Sequence, residues 1–93
     1  MIRPFQGISP RFGRRVFIAP GATLVGDVEI GDDASLWFNC VVRGDVNWVR
    51  IGARANIQDM CCLHVTNGRH PLLIEDEVSV AHNVMLHGCT LRR

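Results

Sequence analysis

Three histidines carry the chemistry that this 93-residue sequence offers first: His64, His82 and His87. Neutral imidazole nitrogens are ligands for zinc and for several neighbouring divalent ions, and two rings held a few ångströms apart can share one ion. The fourth histidine, His70, stands beside Pro71 without a matching position elsewhere and reads as a solvated loop residue. Four cysteines, Cys40, Cys61, Cys62 and Cys89, are the other potential ligands. They form no C-x-x-C pair, and adjacent Cys61 and Cys62 cannot easily serve one tetrahedral ion together, so they read as buried free thiols.

Whether the histidines can meet depends on the elements that hold them. An aliphatic residue recurs every six positions, at Ile18, Leu24, Ile30, Leu36 and Val42, then Ile51, Ile57 and Leu63, then Ile74, Val80 and Leu86. Four residues after most of these stands a small or β-branched residue: Ala22, Val28, Ala34, Cys40, Ala55, Cys61, Val78, Val84 and Thr90. Both sets are expected to point inward. Pro20-Gly21, Gly26-Asp27, Asp32-Asp33 and Gly44-Asp45 punctuate the chain too often for helices, which leaves short strands and sharp corners. The pattern resembles the hexapeptide repeat of left-handed parallel β-helices, in which three repeats make a triangular coil. The expected fold is therefore all-β, a left-handed parallel β-helix of about four coils.

The register slips by three residues around Val46 to Arg50 and by five within Thr66 to Leu73, places where a solenoid accommodates loops at its corners. Residues 1–15, with Pro4 and Pro10, read as an extended leader that covers the first coil, and 16–93 as the β-helix domain. The chain stops at Leu91-Arg92-Arg93 directly after a repeat. An open solenoid edge normally carries a cap, so the domain is expected to be incomplete at its C-terminus.

This frame places the histidines. His64 follows Leu63 and His87 follows Leu86, and the 23-residue gap equals one 18-residue coil plus the five-residue loop. Both should stand outward on the same face of consecutive coils, about 4.8 Å apart. His82 belongs to the repeat that begins at Val80, roughly a third of a turn away, and projects from another wall. A threefold trimer could bring His82 of one subunit beside His64 and His87 of its neighbour, so that the metal bridges subunits.

The formal charge is +1 and every basic side chain is arginine, with no basic stripe or acidic tail. Neither nucleic acid nor an anionic membrane is indicated as a partner. No apolar run approaches the roughly 20 residues of a membrane span. The opening segment lacks a signal-peptide core, and the chain is expected in the cytoplasm.

Specific motifs then resemble one family. RGDVN at Arg43 to Asn47, IGARANIQD at Ile51 to Asp59, HVT at His64 to Thr66 and VAHNVMLHGC at Val80 to Cys89 are similar to the γ-class carbonic anhydrases. The opening RPFQG and VFIAPGATLVGDVEIGDDASLW are similar as well, over roughly the first half of a typical member. The resemblance implies reversible hydration of CO2 to bicarbonate by a metal-bound hydroxide at a homotrimer interface. It implies His64, His82 and His87 as ligands of Zn2+, with Fe2+ or Co2+ as the other ions that imidazoles suit. It also implies Gln58 near the bound water, Asn56 orienting that residue, and Arg43 and Asp45 as a charge-assisted pair at the subunit boundary. The chain departs from active members at Val46 and Asn67, where those carry acidic residues used in CO2 hydration and proton export.

Two other functional classes stay open. Hexapeptide acyltransferases, or a thioesterase-like relative, share the coil and need only one histidine as general base. A noncatalytic metal-binding assembly subunit would keep the fold and the ligands without the acidic loop residues.

Overall fold

The computed structural model describes residues 1–65 and 70–93. Among them the strands are, in chain order, β1 (Ile2–Arg3), β2 (Arg11–Phe12), β3 (Phe17–Ile18), β4 (Thr23–Ile30), β5 (Ser35–Leu36), β6 (Val41–Ile51), β7 (Asn56–Ile57), β8 (Cys62–His64), β9 (Leu72–Ile74), β10 (Ser79–Val80), β11 (Met85–His87) and β12 (Thr90–Leu91). All their ladders are parallel, and each strand pairs with its counterpart one coil away, which is the topology of a β-solenoid of about four turns.

Three walls close the coil. The first stacks the leading parts of β4 and β6 with β8 and β11, and the second stacks the trailing parts of β4 and β6 with β9 and β12. The third is the separate sheet β3, β5, β7, β10. Strand side chains alternate between faces, so Leu24, Val42 and Leu63 line the interior of the first wall, Ile30, Ile51 and Ile74 the second, and Leu36, Ile57 and Val80 the third. The corners are narrower, and small side chains fill them: Ala22, Cys40 and Cys61 in one column, Ala34 and Ala55 in another.

Tight corners demand left-handed backbone. Arg15, Asp33, Arg54 and Glu77 take positive φ at one corner, and Gly21, Asn39, Met60 and Asn83 at the next. For a residue with a side chain this conformation costs about 1–2 kcal/mol. Coil-to-coil hydrogen bonds offset it: the amides of Asp33, Arg54 and Glu77 donate to the carbonyls of Arg14, Asp32 and Ala53 at 2.8–2.9 Å. Arg15 with Asp33 and Arg54 with Glu77 add ion pairs along the same column.

The structure corrects several expectations. Gly26-Asp27 and Gly44-Asp45 are not turns between strands; they lie inside β4 and β6, where the pairing offset grows from 18 residues at Gly26 with Gly44 to 21 at Val28 with Val49. That shift is the expected three-residue slip, taken up as a bulge. The five-residue slip also appears in the pairing, because Leu24 and Val28 are four residues apart whereas their counterparts Leu63 and Leu72 are nine apart. Thr66 to Arg69, within that slip, lie outside the described residues.

Thr90 does not point inward. It pairs with Leu73, while Leu91 pairs with Ile74 and packs against the core. Gly88, at φ 50°, turns the last coil one residue early. Cys40 and Cys61 are buried thiols as expected and Cys89 packs partly against the core, but Cys62 alternates with buried Leu63 and faces outward.

Residues 1–15 form strands themselves. β1 and β2 both pair with β4, and the amino terminus donates to the carbonyl of Ala22, so this segment continues the sheet at the edge of the first coil. No helix among the described residues is long and apolar enough to cross a membrane.

Candidate metal site

β8 and β11 set the two central histidines side by side. Met85 pairs with Cys62, Leu86 with Leu63 and His87 with His64. Leu63 is fully buried, so strand alternation turns Cys62 and His64 outward, and the parallel register turns Met85 and His87 outward beside them. The imidazole centroids lie 4.8 Å apart with planes inclined at 42°. Neither ring makes a hydrogen bond to another described residue. His64 is half-buried and His87 exposed.

Arg43 continues this outward column on β6, since Val42 pairs with Leu63 as Leu63 pairs with Leu86. Its Nε and Nη2 donate to Oδ2 of Asp45 at 2.9 and 2.7 Å, and Oδ1 of Asp45 accepts the Val46 amide at 2.9 Å. Burial pushes the Asp45 carboxyl up, but the hydrogen bonds and charge of Arg43 outweigh it and hold the group below the usual carboxylate range. The exposed Val46 lies in the same bulge, and its side chain carries no titratable group.

Asn56 and Gln58 stand on the third wall. Asn56 pairs with Ser35 and Ser79, and alternation about buried Ile57 turns both amides outward. Nε2 of Gln58 donates to Oδ1 of Asn56, while the backbone N–H of Gln58 donates to the Val80 carbonyl at 3.0 Å. His82 is exposed in the turn between β10 and β11, at the corner that joins the third wall to the first. Asn83 beside it donates its amide to the Asp59 carbonyl at 2.8 Å.

One chain thus brings together His64 and His87, with Arg43 in the same column and Asp45 bound to it. Asn56 pairs with Gln58 on another wall, and His82 stands on the corner between the two. Among the described residues no three histidine, cysteine or acidic side chains converge as a metal site. His70 is exposed, and Asn67 lies outside the described residues. Two further side chains of this face turn outward: Cys62, weighed in the sequence and read as a buried thiol, and Met85, which the sequence reading missed. Their signal was present, since each precedes a wall leucine as each histidine follows one.

The donor chemistry fits a zinc-type ion, because imidazole nitrogens are among its usual ligands. The family model described as bacterial transferase hexapeptide (six repeats) matches residues 9–44. A carbonic anhydrase of Geobacillus kaustophilus is 47% identical over 100% of this chain and 50% of its own length. A mitochondrial gamma carbonic anhydrase 2 of Arabidopsis thaliana is 46% identical over 89% of this chain and 32% of its own. A solved structure from Bacillus cereus, designated a candidate acetyltransferase, superposes with a TM-score of 0.96 at 44% identity, over 100% of this chain and 54% of that one.

These matches and the observed coil define the class: a left-handed hexapeptide-repeat β-helix. Within that class the chain belongs with the γ-class carbonic anhydrase family, and it spans from about a third to half of the length of the curated carbonic anhydrases it matches.

Proposed function

We propose that this chain is a γ-class carbonic anhydrase-like metalloprotein that hydrates CO2 reversibly at an ion held between copies of itself. The observation that carries the reading is the His64–His87 register, two outward imidazoles 4.8 Å apart on adjacent coils. His82 stands on a different face, so a neighbouring subunit in a threefold ring is the economical source of the third nitrogen. Zinc bound there would supply Lewis acidity and allow water to ionise near neutral pH.

The other residues have distinct tasks in this reading. Gln58, tied to Asn56, holds an amide in fixed orientation toward a reacting oxygen. Arg43 and Asp45 rigidify the rim of the first wall and contribute to the subunit boundary. Val46 supplies no proton relay, so the outgoing proton passes to buffer. Four unpaired thiols suit a reducing compartment, and the cytoplasm is the proposed location.

Light scattering coupled to metal analysis tests the assignment. The expected result is a trimer with one zinc per interface, with CO2 hydration that His64→Ala abolishes. A monomer that binds zinc through all three histidines would overturn it. The acetyltransferase designation of the Bacillus cereus structure favours acyl transfer as the second reading. Transfer from an acyl-coenzyme A donor by metal-free protein would select that reading. Zinc-loaded protein that hydrates CO2 no faster than His64→Ala would select a noncatalytic assembly subunit.

A further inference from the structure

Charge divides the outward surface in two. Ion pairs cover the second wall and its corner with the third: Arg11 and Arg50 hold Asp27 and Glu29, while Arg15–Asp33 and Arg54–Glu77 stack at the corner, where Arg93 joins Glu77. The other half is almost bare of charge among the described residues. On the first wall one outward column is Thr23, Val41, Cys62 and Met85, and the other holds Arg43 as the one charged residue within the coils, with Arg3 of the leader beside Val25 at its edge. On the third wall Phe17, Ser35, Asn56 and Ser79 form an outward column without charge. The corner between these two walls stacks Phe38, Asp59 and His82, because the Met60 amide donates to the Phe38 carbonyl and the Asn83 amide to the Asp59 carbonyl. Large apolar side chains concentrate on this half: Phe17 is 45% exposed, Phe38 43%, Met60 57% and Met85 78%. Trp37 contacts the rings of both Phe17 and Phe38.

Surface poor in charge and rich in aromatic and methionine side chains has the composition of a protein interface, whereas an ion-paired wall suits water. Geometry names the partner. The walls of a triangular coil face directions about 120° apart, so the corner between two of them points about 60° from each. A corner seated on the first wall of the next copy rotates successive copies by about 120°, and the contact closes after three. Wall against wall would rotate them by about 60° and close after six. Arg43 on the first wall and Asp59 on the corner are opposite in sign, so corner on wall sets no like charges together. We infer that the Phe38–Met60 corner of one copy docks on the outward first wall of the next, a second copy of this chain being the occupant of both surfaces. This pairing of faces rests on the threefold assembly proposed above and needs no bound ion.

Light scattering on the metal-stripped full chain tests it. Phe38→Glu spoils the corner and Met85→Glu the wall, both at exposed positions outside the core, and Thr90→Glu adds the same charge to the second wall as a control. Far-UV circular dichroism checks that each variant keeps its fold, and where one does not, Phe38→Ser or Met85→Ser takes its place. The native chain and Thr90→Glu are expected at about three times the chain mass, and Phe38→Glu and Met85→Glu at about a third of that value. Each of these two variants keeps one good face, so an equal mixture should form dimers of about twice the chain mass, because the contact joins unlike faces. A folded corner or wall variant that stays trimeric, a mixture that stays monomeric, a ring of six or a monomeric native chain would each overturn the docking. A native trimer that neither takes up zinc on reloading nor hydrates CO2 would overturn the proposed function and leave the docking intact.

Discussion

Arg43 and Asp45 show how much one residue pair can report. The Asp45 side chain is 12% exposed and accepts three hydrogen bonds, and its carboxyl titrates below the usual range because Arg43 outweighs the cost of burial. A carboxyl whose folded pKa is depressed adds stability above its unfolded pKa of about 3.9, and that stability is lost as pH falls through the folded value. Asp45→Asn should therefore be less stable than the native chain at pH 7, with the difference shrinking below about pH 4. Arg43 is 46% exposed, so solvent screening limits the effect to about 1 kcal/mol or less. Paired denaturant titrations at neutral and acid pH measure it, and a gap that widens on acidification would contradict the assignment. Arg43→Ala should also lower trimer content and zinc occupancy together. Loss of neither would remove its boundary role. The pairing of Arg43 with Asp45 was legible as chemistry in the sequence. Its partner amide on Val46 was not, because hydrogen bonds inside a bulge depend on local backbone direction rather than residue type.

Element by element, the period of six was enough to assign walls, interior positions and the adjacency of β8 and β11, because inward burial enforces strand register strongly. It failed where geometry rather than hydrophobicity decides. The glycine pairs at 26–27 and 44–45 read as turns, yet Gly26 pairs with Gly44 in the middle of a ladder. The two backbones approach so closely there that a Cβ on Gly26 would lie 2.5 Å from the Gly44 carbonyl oxygen, and Gly26 has φ +79°. Gly26→Ala must shift backbone as well as adopt a strained conformation, and should cost about 2 kcal/mol or more. Thermal unfolding measures the loss, and a substitution without effect would mean that the ladder bends freely at this point. The same limit explains Thr90: the one-residue early turn at Gly88 leaves no trace in composition, and only the pairing of Leu91 with Ile74 exposes it.

At the scale of the whole molecule, the question is whether one chain can complete the site. His64 and His87 lie on the first wall and His82 on the corner beside it, and three ligands do not converge among the described residues. Sequence periodicity gave that division of labour in outline, but no pattern within one chain encodes the packing of a second. A mixing experiment decides it. His64→Ala and His82→Ala subunits should each assemble without intact sites when purified alone. In the proposed cyclic trimer every interface would take the His64–His87 pair from one subunit and His82 from its neighbour. When equal amounts are unfolded together and reassembled at random, the pair comes from a His82→Ala subunit in half of the interfaces. In half of those, His82 comes from a His64→Ala neighbour. About one quarter of the interfaces should therefore regain a complete ligand set, and zinc content should rise to about a quarter of the native level. CO2 hydration should return in the same proportion. An intrachain site would recover nothing on mixing, since each subunit would still lack its own ligand, and a mixture as empty as its components would place all three histidines within one chain.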